Sequence, residues 1–260
     1  MSQKTFSIII ATYNCGQKIE LTIKSILAQN RDLFELIIVD GASTDGTLEY
    51  IKKYENDVTF VSEKDDGIYY AFNKGIDLAT GKFLYFIGAG DIMHEGVLEC
   101  VSELLPADEN LAFVYGDVYI KEWGYNKGKR SRMNHVARPI CHQTIFYTRA
   151  IFDLVGKYDL RYKISADLVL NFKCFGSPQI KKQYIPCLIA TFEGGGISSI
   201  MRDPDFRNDE LHIIKNNIGI EFYLYYKSYE IWADVYRKLY CPFIRPYVSA
   251  FRRKKDSDDF

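Results

Sequence analysis

The run FSIIIATYN (6–14) reads as an apolar strand that stops abruptly at polar residues. The same grammar recurs at ELIIVD (35–40), VTFVS (58–62) and KFLYFI (82–87). Helix-like stretches separate these runs. Residues 16–30 carry Ile19, Ile23, Ile26 and Leu27 at helical spacing, with Asn14 available as cap. Residues 44–54 follow the turn GASTDG, and 67–79 set Ile68, Phe72, Ile76 and Ala79 on one face before Thr80–Gly81. This alternation predicts an α/β fold with a largely parallel sheet, right-handed crossovers and helices on both faces. In such a sheet, ligands settle outside the carboxyl ends of the strands. Those ends here carry Thr12–Tyr13–Asn14, Asp40, Asp65 and Asp91. They predict a carboxylate-lined pocket suited to a nucleotide and a hard metal ion.

Each of these residues has a plainer use. Asp40 follows an apolar strand and precedes Gly41, so it either accepts a hydrogen bond from a base or ribose or caps the next helix. Asp45 reads as a turn residue. Asp65 lies in the acidic turn SEKDDG, where Glu63 and Asp66 read as solvated charges. Asn73 falls mid-helix, where its propensity is poor, so a polar role is expected of it. Asp91 closes KFLYFIGAGD, whose glycines let the backbone approach a ligand. One carboxylate beside a diphosphate suffices for Mg2+ or Mn2+, and the same residue could cap a helix starting near His94.

Farther along, a helix is expected at 95–105 ahead of Pro106 and a strand at 112–120. The basic, glycine-containing segment 121–138 reads as a mobile loop. ISADLVLNFKCFG (164–176) reads as a helix start with Ser165 as cap and Asp167 in its first turn. The helix dipole favours the ionised carboxylate there, as a general base requires, although most first-turn aspartates only stabilise a helix. His142 and Gln143 are candidate substrate contacts, with a structural histidine as the alternative. The glycine-rich stretch 191–199 reads as irregular, and the last fifty or so residues as helical. From Arg237 to Lys255 there are seven basic residues and no acidic ones, interleaved with aromatic and aliphatic side chains. That tail is either a packed helix pair or an interfacial helix meeting anionic lipid.

A net charge of −1 gives no reason to expect nucleic acid as a partner. No apolar run reaches the ~20 residues that span a bilayer, and the start MSQKTFSIII does not resemble a secretory signal. Cys15, Cys100, Cys141, Cys174, Cys187 and Cys241 contain no C-x-x-C pair. Free, mostly buried thiols in a reducing cytoplasm are therefore expected, rather than a disulfide framework.

Taken together, SIIIATYN, IIVDGASTDGT, SEKDDGIYYAFNKGIDLATGKFLYFIGAGD and HQTIFYTRAIF…YKISADLVL resemble a bacterial family 2 glycosyltransferase of the GT-A fold. The likeness is closest to the branch that assembles capsular polysaccharide, O-antigen and colanic-acid-type exopolysaccharide. It extends over about residues 5–200. It implies a nucleotide-sugar-binding half at 1–105, an acceptor-binding and catalytic half of the same domain at 106–200, and a C-terminal helical extension at 201–260. It implies that Thr12 and Tyr13 line the nucleotide pocket and that Asp40 contacts the base. Asp65, with Asn73, would contact the nucleotide or donor sugar. Asp91 would be the last carboxylate of a D-x-D-type motif holding Mn2+ or Mg2+, and Asp167 the catalytic base.

The implied activity is an inverting transfer from a UDP-sugar, or a GDP-sugar, to a lipid-linked or oligosaccharide acceptor. The expected place is the cytoplasm, at the inner face of the membrane. The chain departs from the family pattern at Ala89–Gly90, where relatives often carry another acidic or polar residue, and at Leu168, where many have an aromatic. A non-catalytic nucleotide-sugar-binding or partner protein on a degenerate fold is the alternative. A dinucleotide oxidoreductase is disfavoured because ATYNCG stands where G-x-G-x-x-G would be needed.

Overall fold

The first strand, β1 (Phe6–Thr12), is buried at every position, as a continuous apolar run between two covering layers must be. The structure is a computed structural model that describes residues 4–105, 110–194 and 201–239. After β1 come α1 (Lys18–Leu27), β2 (Phe34–Asp40), α2 (Thr47–Lys52), β3 (Thr59–Ser62), α3 (Ile68–Leu78) and β4 (Phe83–Gly88). The chain continues through β5 (Ile92–Met93), α4 (Val97–Leu104), β6 (Ala112–Ile120), β7 (Gly124–Asn126) and α5 (Arg132–Ala137). A 3-10 turn (His142–Thr144) leads into β8 (Ile145–Thr148), α6 (Ala150–Val155), α7 (Ala166–Gly176) and β9 (Lys181–Phe192). Two helices follow, α8 (Pro204–Asn217) and α9 (Ile220–Leu239).

The strands form one sheet in the order β3-β2-β1-β4-β8-β6-β9-β5, with β7 bonded to β6 off that path. The pairs β3–β2, β2–β1 and β1–β4 are parallel, and β6 runs parallel to β9. Only the short strands β5, β7 and β8 run against their neighbours. Alternate side chains sort to opposite faces. Phe6, Ile8 and Ile10 pack with Ile19, Ile23 and Ile26 of α1, while Ile9 and Ala11 pack with Phe72 and Ile76 of α3. Gly75 lets α3 lie directly on β1, since a Cβ there would collide with Ile9. Register then aligns the carboxyl ends, pairing Thr12 with Asp40 and Asp40 with Ser62.

Several expectations are corrected. Asn14 does not cap α1, which begins at Lys18 behind Gln17. Asn14 instead adopts a left-handed backbone (φ 45°) and ties two loops together, its Oδ1 accepting from Thr44 N at 2.9 Å. Ile68 is exposed, and Tyr69 takes its place in the core. Asp91 caps no helix, because α4 starts at Val97 behind Gly96. The segment 121–138, expected to be a loop, packs as regular structure. It contains β7 and α5, and His135 is wholly buried, its ring stacked 4.3 Å from Phe175.

Cys100 of α4 and Cys187 of β9 form a disulfide across a sequence separation of 87, against the expectation of free thiols. Folding brings together two residues whose spacing carries no signature. Cys15, Cys141 and Cys174 are free. The expectations for Pro106, for most of the glycine-rich stretch and for the tail beyond residue 239 lie outside the described residues.

Candidate active site

At the carboxyl ends of β1, β2 and β3 the polar residues converge. Thr12 is buried, with Oγ1 2.9 Å from Cys15 Sγ, and its carbonyl accepts from Gly41 N at 2.9 Å. Gly41 has the ring of Tyr13 on one side and the Asp65 carboxylate on the other, so a Cβ there would crowd both. Tyr13 is otherwise 65% exposed, an aromatic face open to a ligand. Asp40 is inaccessible to solvent and fully engaged. It accepts from Ser43 N at 2.9 Å, Ser43 Oγ at 2.5 Å and Ser62 Oγ at 2.7 Å. Its carboxylate ties the ends of β2 and β3 to the turn at Ser43 and does not stand open to solvent.

Asp65 is half-buried and accepts from Gly67 N at 3.0 Å. Burial raises its carboxyl above the usual range, and the charges of Asp40 and Asp66 add to this. Beside it lies a cleft of about 370 Å³ bounded by Val39, Asp65, Tyr70, Ala71 and Lys74. Glu63 also lines it and pairs with Lys74. Asn73, expected beside Asp65, is occupied elsewhere. Its Nδ2 donates to Tyr158 O at 2.9 Å and its Oδ1 accepts from Tyr158 N at 3.0 Å. Both ends of that amide are spent on tying α3 to the loop ahead of α7.

Asp91 is 6% exposed. Its Oδ2 accepts from Gln143 Nε2 at 2.9 Å and its Oδ1 from Glu193 N at 3.2 Å. Burial raises the carboxyl from 3.8 to about 6, with the Gln143 and Glu193 bonds opposing. Gly88 leaves space beside Oδ2, where a Cβ would come within 3.3 Å. A backbone bond from Gly88 adds to these two, so part of the carboxylate's acceptor capacity is taken and the rest stays open. Among the described residues no group of three or more His, Cys, Asp or Glu forms a cage for a cation. The donor set therefore fits a metal shared with a diphosphate and not one held by protein alone.

Asp167 stands in the first turn of α7, as expected, although Ser165 makes no side-chain cap bond. Its Oδ1 accepts from the Tyr69 hydroxyl at 2.7 Å, and that hydroxyl also lies 2.8 Å from Ile164 O. Burial, followed by the Asp167 charge, holds the Tyr69 phenol far above its ordinary range, so it stays a donor. His142 packs against Phe72 and Phe86, with ring centroids 5.2 and 6.0 Å away. Burial lowers its pKa, and the Asp167 charge pulls the other way. The imidazole is thus neutral near pH 7, and its Nε2 is buried with no partner among the described residues.

Cys141, His142 and Gln143 lie within electrostatic reach of the two carboxylates. Gln143 bonds Asp91, His142 feels Asp167, and burial pushes the Cys141 thiol up to about 12 with both aspartates adding.

Sequence reasoning missed Tyr69, Tyr158, Cys141 and Asp203. Asp203 Oδ2 accepts from Ile164 N at 2.8 Å and Ser165 N at 3.2 Å, while Oδ1 caps α8 by accepting from Phe206 N at 3.2 Å. The Asp203–Pro204 pair was the legible signal, an N-cap followed by proline at the first helical position. The other three carry no local signal.

Comparison with known proteins identifies the family. The model of "Glycosyl transferase family 2" matches residues 7–164. The chain is 36% identical over 214 residues to a PGL/p-HBAD biosynthesis glycosyltransferase of Mycobacterium tuberculosis, covering 79% of this chain and 84% of the relative. Among solved structures, S. aureus TarS 1–349 in complex with UDP-GlcNAc superposes with a TM-score of 0.66 at 19% identity, over 82% of this chain. The chain spans 63% to 67% of TarS 1–349 in these structures and 38% of the longer TarS chain. A Pyrobaculum calidifontis mannosyltransferase in complex with GDP-Man and Mn2+ superposes with a TM-score of 0.58 at 18% identity, covering 96% of this chain and 74% of that one. At these identities the structures speak for the fold alone, which is GT-A. With the family pattern matched over more than half its length and a relative above 30% identity along most of the chain, the protein belongs to glycosyl transferase family 2.

Proposed function

We propose that the protein transfers a sugar from a nucleoside diphosphate sugar to an acceptor hydroxyl with inversion at the anomeric carbon. The observation that supports this reading is that Gln143 bonds Asp91 while the charge of Asp167 reaches the neighbouring His142 and Cys141, so the carboxylates expected to serve donor and acceptor lie about one segment. Asp167 takes the proton of the acceptor hydroxyl while that oxygen forms its bond to the anomeric carbon. The bond from that carbon to the diphosphate oxygen breaks on the opposite face, and the nucleoside diphosphate departs with the electron pair. Tyr69 holds one Asp167 oxygen, leaving the other free to receive the proton. Tyr13 and Asp65 flank the nucleotide, and Asp91 is the protein ligand for Mn2+ or Mg2+. Such an ion, when bound, offsets the charge of the departing diphosphate.

The donor is a UDP-sugar in this reading, in line with the UDP-GlcNAc complex of TarS, and a GDP-sugar is the alternative. The acceptor is a lipid-linked glycan of a cell-surface polysaccharide, handled at the cytoplasmic face of the membrane.

General-base assistance is typically worth ~10²–10⁴-fold. Asp167→Asn should therefore reduce transfer by at least about 100-fold while leaving donor affinity within a few-fold. The assay is a panel of nucleotide sugars with Mn2+ or Mg2+, with product configuration read by NMR. Near-normal turnover in Asp167→Asn would remove the base. Failure of the wild type to transfer or hydrolyse any donor would favour a non-catalytic binding protein.

A further inference from the structure

Asp91 ends a hydrogen-bond chain that begins at the half-buried Cys141. Cys141 Sγ donates to Gln143 Oε1 at 2.9 Å, and Gln143 Nε2 donates to Asp91 Oδ2 at 2.9 Å. The Gln143 backbone is pinned as well, its carbonyl accepting from the Tyr85 hydroxyl at 2.7 Å. A glutamine amide can turn either its oxygen or its nitrogen toward a neighbour, and only the nitrogen attracts a carboxylate. The Asp91 carboxylate selects the nitrogen, and the Cys141 thiol, donating to the amide oxygen, reinforces that orientation. On the far side, Glu193 N holds Asp91 Oδ1, so the carboxylate plane is fixed from two directions. With Gly88 adding a third bond, about one of the carboxylate's four acceptor positions stays open to a cation.

We propose that Gln143 is a positioning residue, not a sugar contact, that holds Asp91 in one orientation for a divalent cation, and that the Cys141 thiol braces the Gln143 amide from its oxygen end. This rests on the metal role given to Asp91 above. Hydrogen-bond partners one shell out from a metal ligand are typically worth ~10–100-fold in metal affinity. The amide of Gln143 already has its oxygen and one N–H engaged within the protein, which leaves it poorly placed to read a hydroxyl pattern. Cys141 itself never touches the cation.

The test is Mn2+ titration of the full chain in the presence of UDP, and in a second arm GDP, followed by Mn2+ electron paramagnetic resonance without any sugar. Asp91→Ala, Gln143→Leu, Cys141→Ala and Cys141→Ser are compared with the wild type, and circular dichroism checks each fold. Expected results are a loss of Mn2+ affinity of at least about tenfold for Gln143→Leu, in the range of such outer partners. Cys141→Ala should be weakened too, and Cys141→Ser should be restored because its hydroxyl donates in place of the thiol. Wild-type-like Mn2+ affinity in Gln143→Leu overturns the clamp, as does a serine variant no better than the alanine one. If Gln143→Leu does not fold, the alanine–serine comparison decides alone. Should Asp91→Ala leave Mn2+ binding unchanged, the metal role itself falls. Should it abolish binding while Gln143→Leu does not, only the clamp falls.

Discussion

At the scale of single residues, the site stores an unfavourable charge. Asp91 is nearly inaccessible, and its carboxyl rises from 3.8 to about 6 on burial. At about 1.4 kcal/mol per tenfold change in equilibrium, this amounts to about 3 kcal/mol. The sign follows from linkage. A carboxyl whose pKa is raised on folding favours the folded state below the unfolded pKa, and that contribution is lost as pH rises through the folded one. In protein stripped of metal, wild type should therefore lose stability relative to Asp91→Asn between about pH 4 and 6. Urea unfolding across pH 4–8 would register it. A constant difference between the two proteins over that range would show that burial does not perturb the carboxyl.

Helix α7 shows what an element needs in order to present a base. Its N-terminus carries Asp167, yet the side chain that shapes this end comes from Asp203, outside the helix. Loss of an N-cap costs about 0.5–2 kcal/mol, and the two N–H groups left without their acceptor add about 1–3 kcal/mol. Asp203→Ala should destabilise the fold by about 1.5–5 kcal/mol on those two contributions. Transfer activity should fall as well, because α7 is freed at the turn bearing Asp167. Denaturant unfolding together with kcat measures both. Activity equal to wild type would detach Asp203 from the site. The bridge between α4 and β9 makes a second prediction at this scale. Closing a loop of 87 residues is worth about 2–4 kcal/mol. Reductant or Cys100→Ser should lower Tm by several degrees without altering the other free thiols. Thiol titration and a melting curve check it, and an unchanged Tm would show that packing alone holds α4.

For the whole molecule, the open question is how it meets its acceptor. No helix among the described residues is long and apolar enough to cross a membrane. Helix α9 nevertheless exposes Ile220, Leu224 and Tyr225, and the sequence runs on into the basic, aromatic stretch from Arg237 to Lys255. Apolar side chains entering the headgroup region, with Lys and Arg meeting anionic lipid, hold a peripheral protein at a surface. Removal of residues 237–260 should move the protein from floating with anionic vesicles to remaining in solution, and about 1 kcal/mol per basic residue sets the scale. Equal flotation of the full and shortened chains would place membrane affinity elsewhere.

Much of this was legible in the chain because strand and helix periodicities are local. The parallel core of β1 to β4, the helices between them and the placement of Asp91 and Asp167 at element ends all follow from residues close in sequence. What a side chain does once there depends on partners dozens of residues away. Asn73 turned out to clamp Tyr158, Asp40 to be saturated by serines, Cys100 to bond Cys187, and segment 121–138 to hold a buried histidine. Hydrogen bonds and disulfides form between neighbours in space, and only the packed sheet, with its two helical layers, decides who those neighbours are.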